Sequence, residues 1–209
     1  MIKKIFFIAT IFTTLIFAQT KVPPKYELKD INGKTTVIIG KKNGITIPDS
    51  KGKIILVEFW GTHCPPCIYS IPHYIELTKK YKDKLAMYAI EVQGTSKEQL
   101  KEFVKEKGIN YNIYTQSENM NFVRYLAQRA GWRGAIPFLV IFDQHGNVVD
   151  MKIGMVSKEY IEKVIEILEK RETQVSKDSN STQKDTKKGE QNITKDAKTI
   201  KVDKNTTSK

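Results

Sequence analysis

Apolar positions along this chain fall into two kinds of run. Short continuous ones predict strands: Lys53 to Trp60 reads as a strand covered on both faces, Leu85 to Val92 as a second buried strand and Ile136 to Phe142 as another apolar strand, while Ile109 to Thr115 also reads as a strand. Between them lie stretches with helical character. One follows Cys67 to about Tyr81; another opens on Ser96 with Gln99 as its capping-box partner and ends at Gly108; a third is capped by Ser117 and ends at Gly131. Ahead of these, the turn dipeptides Asn32-Gly33 and Asn43-Gly44 flank the β-rich run Thr35 to Ile39, which predicts a short antiparallel hairpin. Behind them, His145-Gly146-Asn147 turns the chain into Val148 to Ile153. A last amphipathic helix starts at Ser157, with Tyr160, Ile161, Val164, Ile165 and Leu168 on one face. Strands alternating with helices predict an α/β domain whose parallel pairs are joined by right-handed crossovers, closed by an antiparallel hairpin.

Both ends depart from this pattern. Two lysines, Lys3 and Lys4, precede an apolar run of 14 residues from Ile5 to Ala18 that stops at a small residue. That is the layout of a secretory signal peptide over residues 1–18, cleaved after about Ala18. The run is short of the ~20 apolar residues that span a bilayer, so an uncleaved membrane anchor is the minority reading. Export to the periplasm or cell envelope follows, and with it an oxidising surrounding. From Arg171 to Lys209 the composition turns to Lys, Thr, Ser, Asn, Gln and Asp without an aromatic residue, which predicts a disordered basic tail. The single folded domain is thus expected over residues 19–170, within a chain of 209 residues.

Composition adds limits. At 40% hydrophobic residues the chain can bury a core, and a mean hydropathy of −0.41 excludes a polytopic membrane protein. The net charge of +12 raises the question of nucleic acid. Its distribution answers it: two lysines sit in the leader, the tail carries ten basic residues against six acidic, and the remainder keeps 23 against 17. Arg124, Arg129, Arg133 and Trp132 read as a solvated helix face, and no nucleic-acid partner is expected.

Cys64 and Cys67 are the only cysteines. A bridge between them closes too small a loop to constrain the unfolded chain much, so redox chemistry or metal binding is what remains. Metal would need two further ligands, and His63, His73 and His145 form no ligand pair with each other. No metal and no cofactor are expected. The pair stands directly after a buried strand and at a helix start, where free N–H groups and the macrodipole favour a thiolate on Cys64. Cys64 then attacks a substrate disulfide and Cys67, a turn further in, resolves the mixed disulfide. Glu58, inside the apolar strand, must be protonated or hydrogen-bonded there.

Three stretches carry a resemblance: Val57 to Cys67 (V-E-F-W-G-T-H-C-P-P-C), Pro72 within the following helix, and Gly134 to Asp143 (G-A-I-P-F-L-V-I-F-D). They resemble the thioredoxin superfamily, most closely its exported TlpA/ResA-like thiol-disulfide oxidoreductases, over about Tyr26 to Lys170. The resemblance implies a thioredoxin-like fold, a central mixed sheet flanked by helices, with an N-terminal β-hairpin and one inserted β-α unit between Cys67 and Pro137. It implies that Pro137 is a cis-proline facing the disulfide, leaving the backbone at Ile136 free to pair with a peptide. It makes Glu58 the buried acid that serves Cys67, and places Trp60, His63, Pro65, Pro66 and Ile136 around the substrate. Members often carry a glutamate three residues after the second cysteine, where this chain has Ser70. The implied function is reduction of protein disulfides in the cell envelope, with cytochrome c maturation as one service. Its partners would be protein thiols and disulfides and a membrane electron donor, and the protein would be a monomer. A disulfide-forming oxidant and a non-catalytic peptide-binding module are the alternatives.

Overall fold

The computed structural model describes residues 22–196, with side chains to residue 177. The expected signal peptide over residues 1–18, and residues 197–209 of the expected tail, lie outside the described residues. Two sheets organise the domain. The first is a three-stranded antiparallel meander, β1 (Lys25–Lys29), β2 (Thr35–Lys41) and β3 (Gly44–Thr46). The expected hairpin is therefore one strand larger, because each of the two turn dipeptides folds a strand back: Asn32-Gly33 joins β1 to β2 and Asn43-Gly44 joins β2 to β3. Gly33 takes φ 87°, a conformation that side chains disfavour.

The second sheet holds β4 (Ile54–Trp60), β5 (Leu85–Glu91), β6 (Asn112–Thr115), β7 (Phe138–Phe142) and β8 (Val148–Ile153) in the order β6-β5-β4-β7-β8. β4 and β5, like β5 and β6, run parallel, whereas β4 with β7 and β7 with β8 are antiparallel. All seven residues of the central β4 are buried, as its unbroken apolar run requires. The sheet is mixed and carries helices α1 (Pro65–Lys80), α2 (Lys97–Lys107), α3 (Gln116–Ala130) and α4 (Lys158–Asp196).

Strand alternation sorts the core into two. Ile54, Leu56 and Trp60 pack with Cys67, Ile71, Tyr74 and Leu77 of α1, Leu100 of α2 and Ile161, Ile165 and Leu168 of α4. The opposite positions Ile55, Val57 and Phe59 pack with Phe122, Val123 and Leu126 of α3 and with Leu28 and Ile38 of the small sheet. Glu58 has the parity of the first set, so it faces α1.

Local signals set most boundaries. Both halves of the Ser96–Gln99 capping box are formed, and Gly108 ends α2 in the left-handed region. The cap of α3 is Thr115, not Ser117: β6 runs straight into the helix, and Thr115 Oγ1 accepts from Glu118 N–H at 3.4 Å. Asn119 leaves helical geometry inside α3 and exchanges hydrogen bonds with the backbone of Lys29, tying α3 to β1. Helix α4 continues to Asp196, past the boundary drawn at Lys170, so helix stands where the composition of 171–196 had suggested disorder. Once a helix is nucleated, each added residue gains a backbone bond, and this extension needs no apolar face. Among the described residues Leu168 is the last side chain of α4 to be buried.

Candidate active site

β4 delivers Trp60 to the end of the sheet, and Gly61-Thr62-His63 turns the chain into α1. Cys64 is the N-cap of that helix, with extended φ −116° and ψ 98°, and Pro65 and Pro66 fill its first two positions. Proline suits these positions because its fixed φ is helical and its missing N–H costs no helical bond. The arrangement also leaves the first free N–H at Cys67, and it donates to Cys64 Sγ at 3.3 Å. The two sulfurs form a disulfide with a Cα–Cα distance of 5.2 Å. Cys64 is 6% exposed and Cys67 2%, so the outer sulfur is less open than its place at a helix end suggests, yet it is the more accessible of the two. Pro65, Pro66 and His63 are exposed around it.

Glu58 sits in β4 between Ala89 of β5 and Leu139 of β7, 3% exposed. The Tyr74 hydroxyl donates to Glu58 Oε1 at 3.0 Å. Tyr74 lies two turns along α1 from Cys67 on the same helix face, so the carboxyl lies beneath the face that carries the inner sulfur. Burial pushes the Glu58 carboxyl up to about 8, and the Tyr74 hydrogen bond offsets only part of this. Burial and the neighbouring Glu58 in turn hold the Tyr74 and Tyr111 hydroxyls above the ordinary tyrosine range. Ser70, where the family resemblance pointed to a glutamate, is buried and donates to the Pro66 carbonyl at 3.1 Å.

The Ile136–Pro137 bond is cis. Phe138 pairs with Phe59, so continuing the antiparallel register brings Pro137 beside Trp60, at the end of the sheet where Cys64 begins α1. Pro137 is buried and its carbonyl accepts from Gly154 N–H at 2.8 Å, while Ile136 is half-buried. Trp60 is 2% exposed and packs on Phe103, which puts it beneath the site rather than at its mouth. Arg124, Arg129 and Arg133 are exposed, as expected of a solvated face, whereas Trp132 is half-buried and departs from it. The Trp132 ring lies 4.7 Å from that of Phe59 and its Nε1–H donates to the Ala135 carbonyl, fixing the loop before Ile136. Arg129 donates to the carbonyls of Lys41 and Lys42.

A second acid escaped the sequence reading. Glu91 closes β5 as the register partner of Trp60 and is fully buried. Its Oε1 accepts from Gln93 N–H and Thr95 Oγ1–H, both at 3.0 Å, and its Oε2 from Gly94 N–H and Thr95 N–H, both at 3.1 Å. The loop so held reaches the cysteine loop. Gln93 lies across Gly61, where a Cβ would come within 2.1 Å of its Oε1, and that oxygen accepts from His63 N–H at 2.8 Å. Thr62 Oγ1 is 2.7 Å from Thr95 Oγ1 and 3.1 Å from His63 Nδ1. Thr62, His63, Gln93, Thr95 and Phe103 line an open cleft of about 370 Å³. The signal available in the sequence was an acid ending an otherwise apolar strand, the same anomaly that singled out Glu58.

A C-x-x-C pair joined in a disulfide at a helix start in this fold is built to shuttle between dithiol and disulfide, and the molecule is a thioredoxin-fold thiol-disulfide oxidoreductase. By sequence the chain belongs to the AhpC/TSA family, which matches residues 20–151. It is similar to the thiol-disulfide oxidoreductase ResA of Bacillus thuringiensis (strain Al Hakam), 29% identical over 143 residues that make up 68% of this chain and 73% of the relative. Two solved structures share its fold. The thioredoxin-family thiol:disulfide interchange protein of Chlorobium tepidum TLS matches with a TM-score of 0.58 at 23% identity, over 69% of this chain and 93% of that one. The pneumococcal exposed lipoprotein thioredoxin of Streptococcus pneumoniae strain TIGR4 matches with a TM-score of 0.52 at 23% identity, over 69% and 100%.

Proposed function

We propose that this chain is an exported reductant of protein disulfides in the cell envelope, with Cys64 as nucleophile, Cys67 as resolver and Glu58 as the acid that exchanges a proton with Cys67. The observation that carries the direction is the donor count at Cys64. A disulfide couple is a strong oxidant when its reduced form is stabilised, chiefly by hydrogen bonds and positive charge at the outer thiolate. Here Pro65 and Pro66 have no N–H to offer, and Cys67 N–H is the one hydrogen bond that Cys64 Sγ receives among the described residues. A sparsely solvated thiolate gives up its electrons readily.

In the reductive cycle the Cys64 thiolate attacks a substrate disulfide. A Cys64–substrate bond forms and one substrate sulfur leaves. Cys67 then loses its proton to Glu58, attacks Cys64 Sγ and expels the second substrate thiol, so two electrons pass from the cysteine pair to the substrate. A carboxyl at about 8 lies close to an ordinary thiol near ~8.5, so the proton moves between them at little cost. The substrate strand is met by Ile136 and the cis Pro137, with His63, Pro65 and Pro66 at the rim. Lys3 and Lys4 ahead of the run Ile5 to Ala18 support export, and the described relative from S. pneumoniae is itself named an exposed lipoprotein. A membrane electron donor would restore the dithiol, and apocytochrome c cysteines are one substrate class that an envelope reductant serves.

The test is trapping. Cys67→Ser should abolish turnover of insulin disulfides yet leave Cys64 joined to envelope proteins in mixed disulfides that persist. Cys64→Ser should abolish both. Recovery of partners mainly through Cys67 would overturn the assignment.

A further inference from the structure

The hydrogen-bond chain beneath His63 has a direction. Each Glu91 oxygen already receives two donors, so the carboxyl group only accepts, and the Thr95 hydroxyl proton is committed to it. A hydroxyl has one proton, so Thr95 Oγ1 can meet Thr62 Oγ1 only by accepting. The Thr62 proton is thereby spent, and Thr62 Oγ1 in turn meets His63 Nδ1 only as an acceptor. The proton of the imidazole is therefore on Nδ1, and Nε2, the far nitrogen of an exposed ring, is left as a bare acceptor.

From this we infer that Glu91, Thr95 and Thr62 are positioning residues that hold His63 as the Nδ1–H tautomer, presenting Nε2 to a hydrogen-bond donor of the substrate polypeptide beside the Cys64–Cys67 disulfide. The same carboxylate fixes the ring from a second side. It holds Gln93 N–H, and Gln93 Oε1 holds the backbone N–H of His63. Backbone and ring of the residue before the nucleophile thus hang on one buried acid. The cleft that His63 shares with Thr62, Gln93, Thr95 and Phe103 gives the substrate segment a place to lie. The inference rests on the thiol–disulfide exchange proposed above only for its purpose; the tautomer itself can be read without any substrate.

The experiment is 15N-resolved two-bond correlation spectroscopy of the histidine rings in the oxidised full chain, at a pH above the histidine range, about 8.5. Wild type should show His63 with a protonated Nδ1 and an unprotonated Nε2. Thr95→Val should lose this fixed pattern and Thr95→Ser should keep it. In insulin reduction, Thr95→Val should be slower by about fivefold, what the loss of one ordinary hydrogen bond is worth, with Thr95→Ser near wild type. Should Thr95→Val fail to fold, Thr62→Val cuts the next link with the same expectation. An Nε2–H pattern in wild type, or a pattern unchanged by Thr95→Val or Thr62→Val, would overturn the inference. Failure of every form to reduce insulin while the Nδ1–H pattern holds would instead count against the proposed reaction.

Discussion

Glu58 and Glu91 lie on the neighbouring strands β4 and β5, both buried at the end of the sheet that carries the cysteines, and they are served in opposite ways. Among the described residues Glu58 receives a single side-chain hydrogen bond, from Tyr74, and burial pushes it up to about 8. Glu91 receives four, three from the successive backbone N–H groups of Gln93, Gly94 and Thr95 and one from the Thr95 hydroxyl, and acts as an anchor for their loop. Donor supply, more than burial, separates a carboxyl whose proton is free to move from one that is part of the scaffold. The reactive side of the site is the donor-poor side throughout. Cys64 stands before two prolines and receives one hydrogen bond, and the indole Nε1 of Trp60 finds no partner among the described residues.

The largest effect that sharpens this contrast is on stability. Glu58 keeps its proton in the folded protein to about 8, whereas the unfolded chain releases it near 4.5. The native state therefore binds more protons between these values, and wild type loses stability as pH rises through that window, by at most about 5 kcal/mol. Glu58→Gln removes the titration and keeps the shape, so its stability advantage over wild type should grow from pH 4 to pH 9 in denaturant unfolding. An advantage that does not change with pH would show that the carboxyl is solvated and the contrast with Glu91 false. Next in size is the kinetic effect. Glu58→Gln should slow the resolving attack of Cys67 by about tenfold or more and leave the initial attack of Cys64 nearly unchanged, as rapid-quench analysis of the mixed disulfide would report. Equal slowing of both steps would remove Glu58 from the relay. The smallest effect is at the helix start. Pro66→Ala supplies one N–H to the Cys64 thiolate, which should lower its thiol pKa and make the couple more oxidising by about 30 mV.

Much of this is legible in the sequence. The central strand from Ile54 to Trp60 was plain because a strand buried on both faces has no polar interruptions, and Glu58 stood out for breaking that rule. Ser96, Gln99 and Gly108 announced α2 because caps act over three or four residues and need nothing from the rest of the fold. What could not be read depends on contacts distant in the chain. Thr115 rather than Ser117 caps α3 because β6 is held by its neighbour β5, and β1 became a strand because Asn32-Gly33 lets it pair with β2. The Glu91 network joins residues 62–63 to 91–95, and those segments meet only through the parallel register of β4 and β5. Trp132 looked like surface because nothing local reveals the Phe59 ring it packs on.

The central claim is that a donor-poor Cys64 makes this couple a reductant. Its most direct test is the reduction potential of Cys64/Cys67, measured in the full chain by equilibration with a thiol–disulfide buffer and mass analysis of the alkylated dithiol. A value toward the thioredoxin end, roughly −270 mV, is predicted, and a value near −120 mV, where strong oxidants lie, would contradict it.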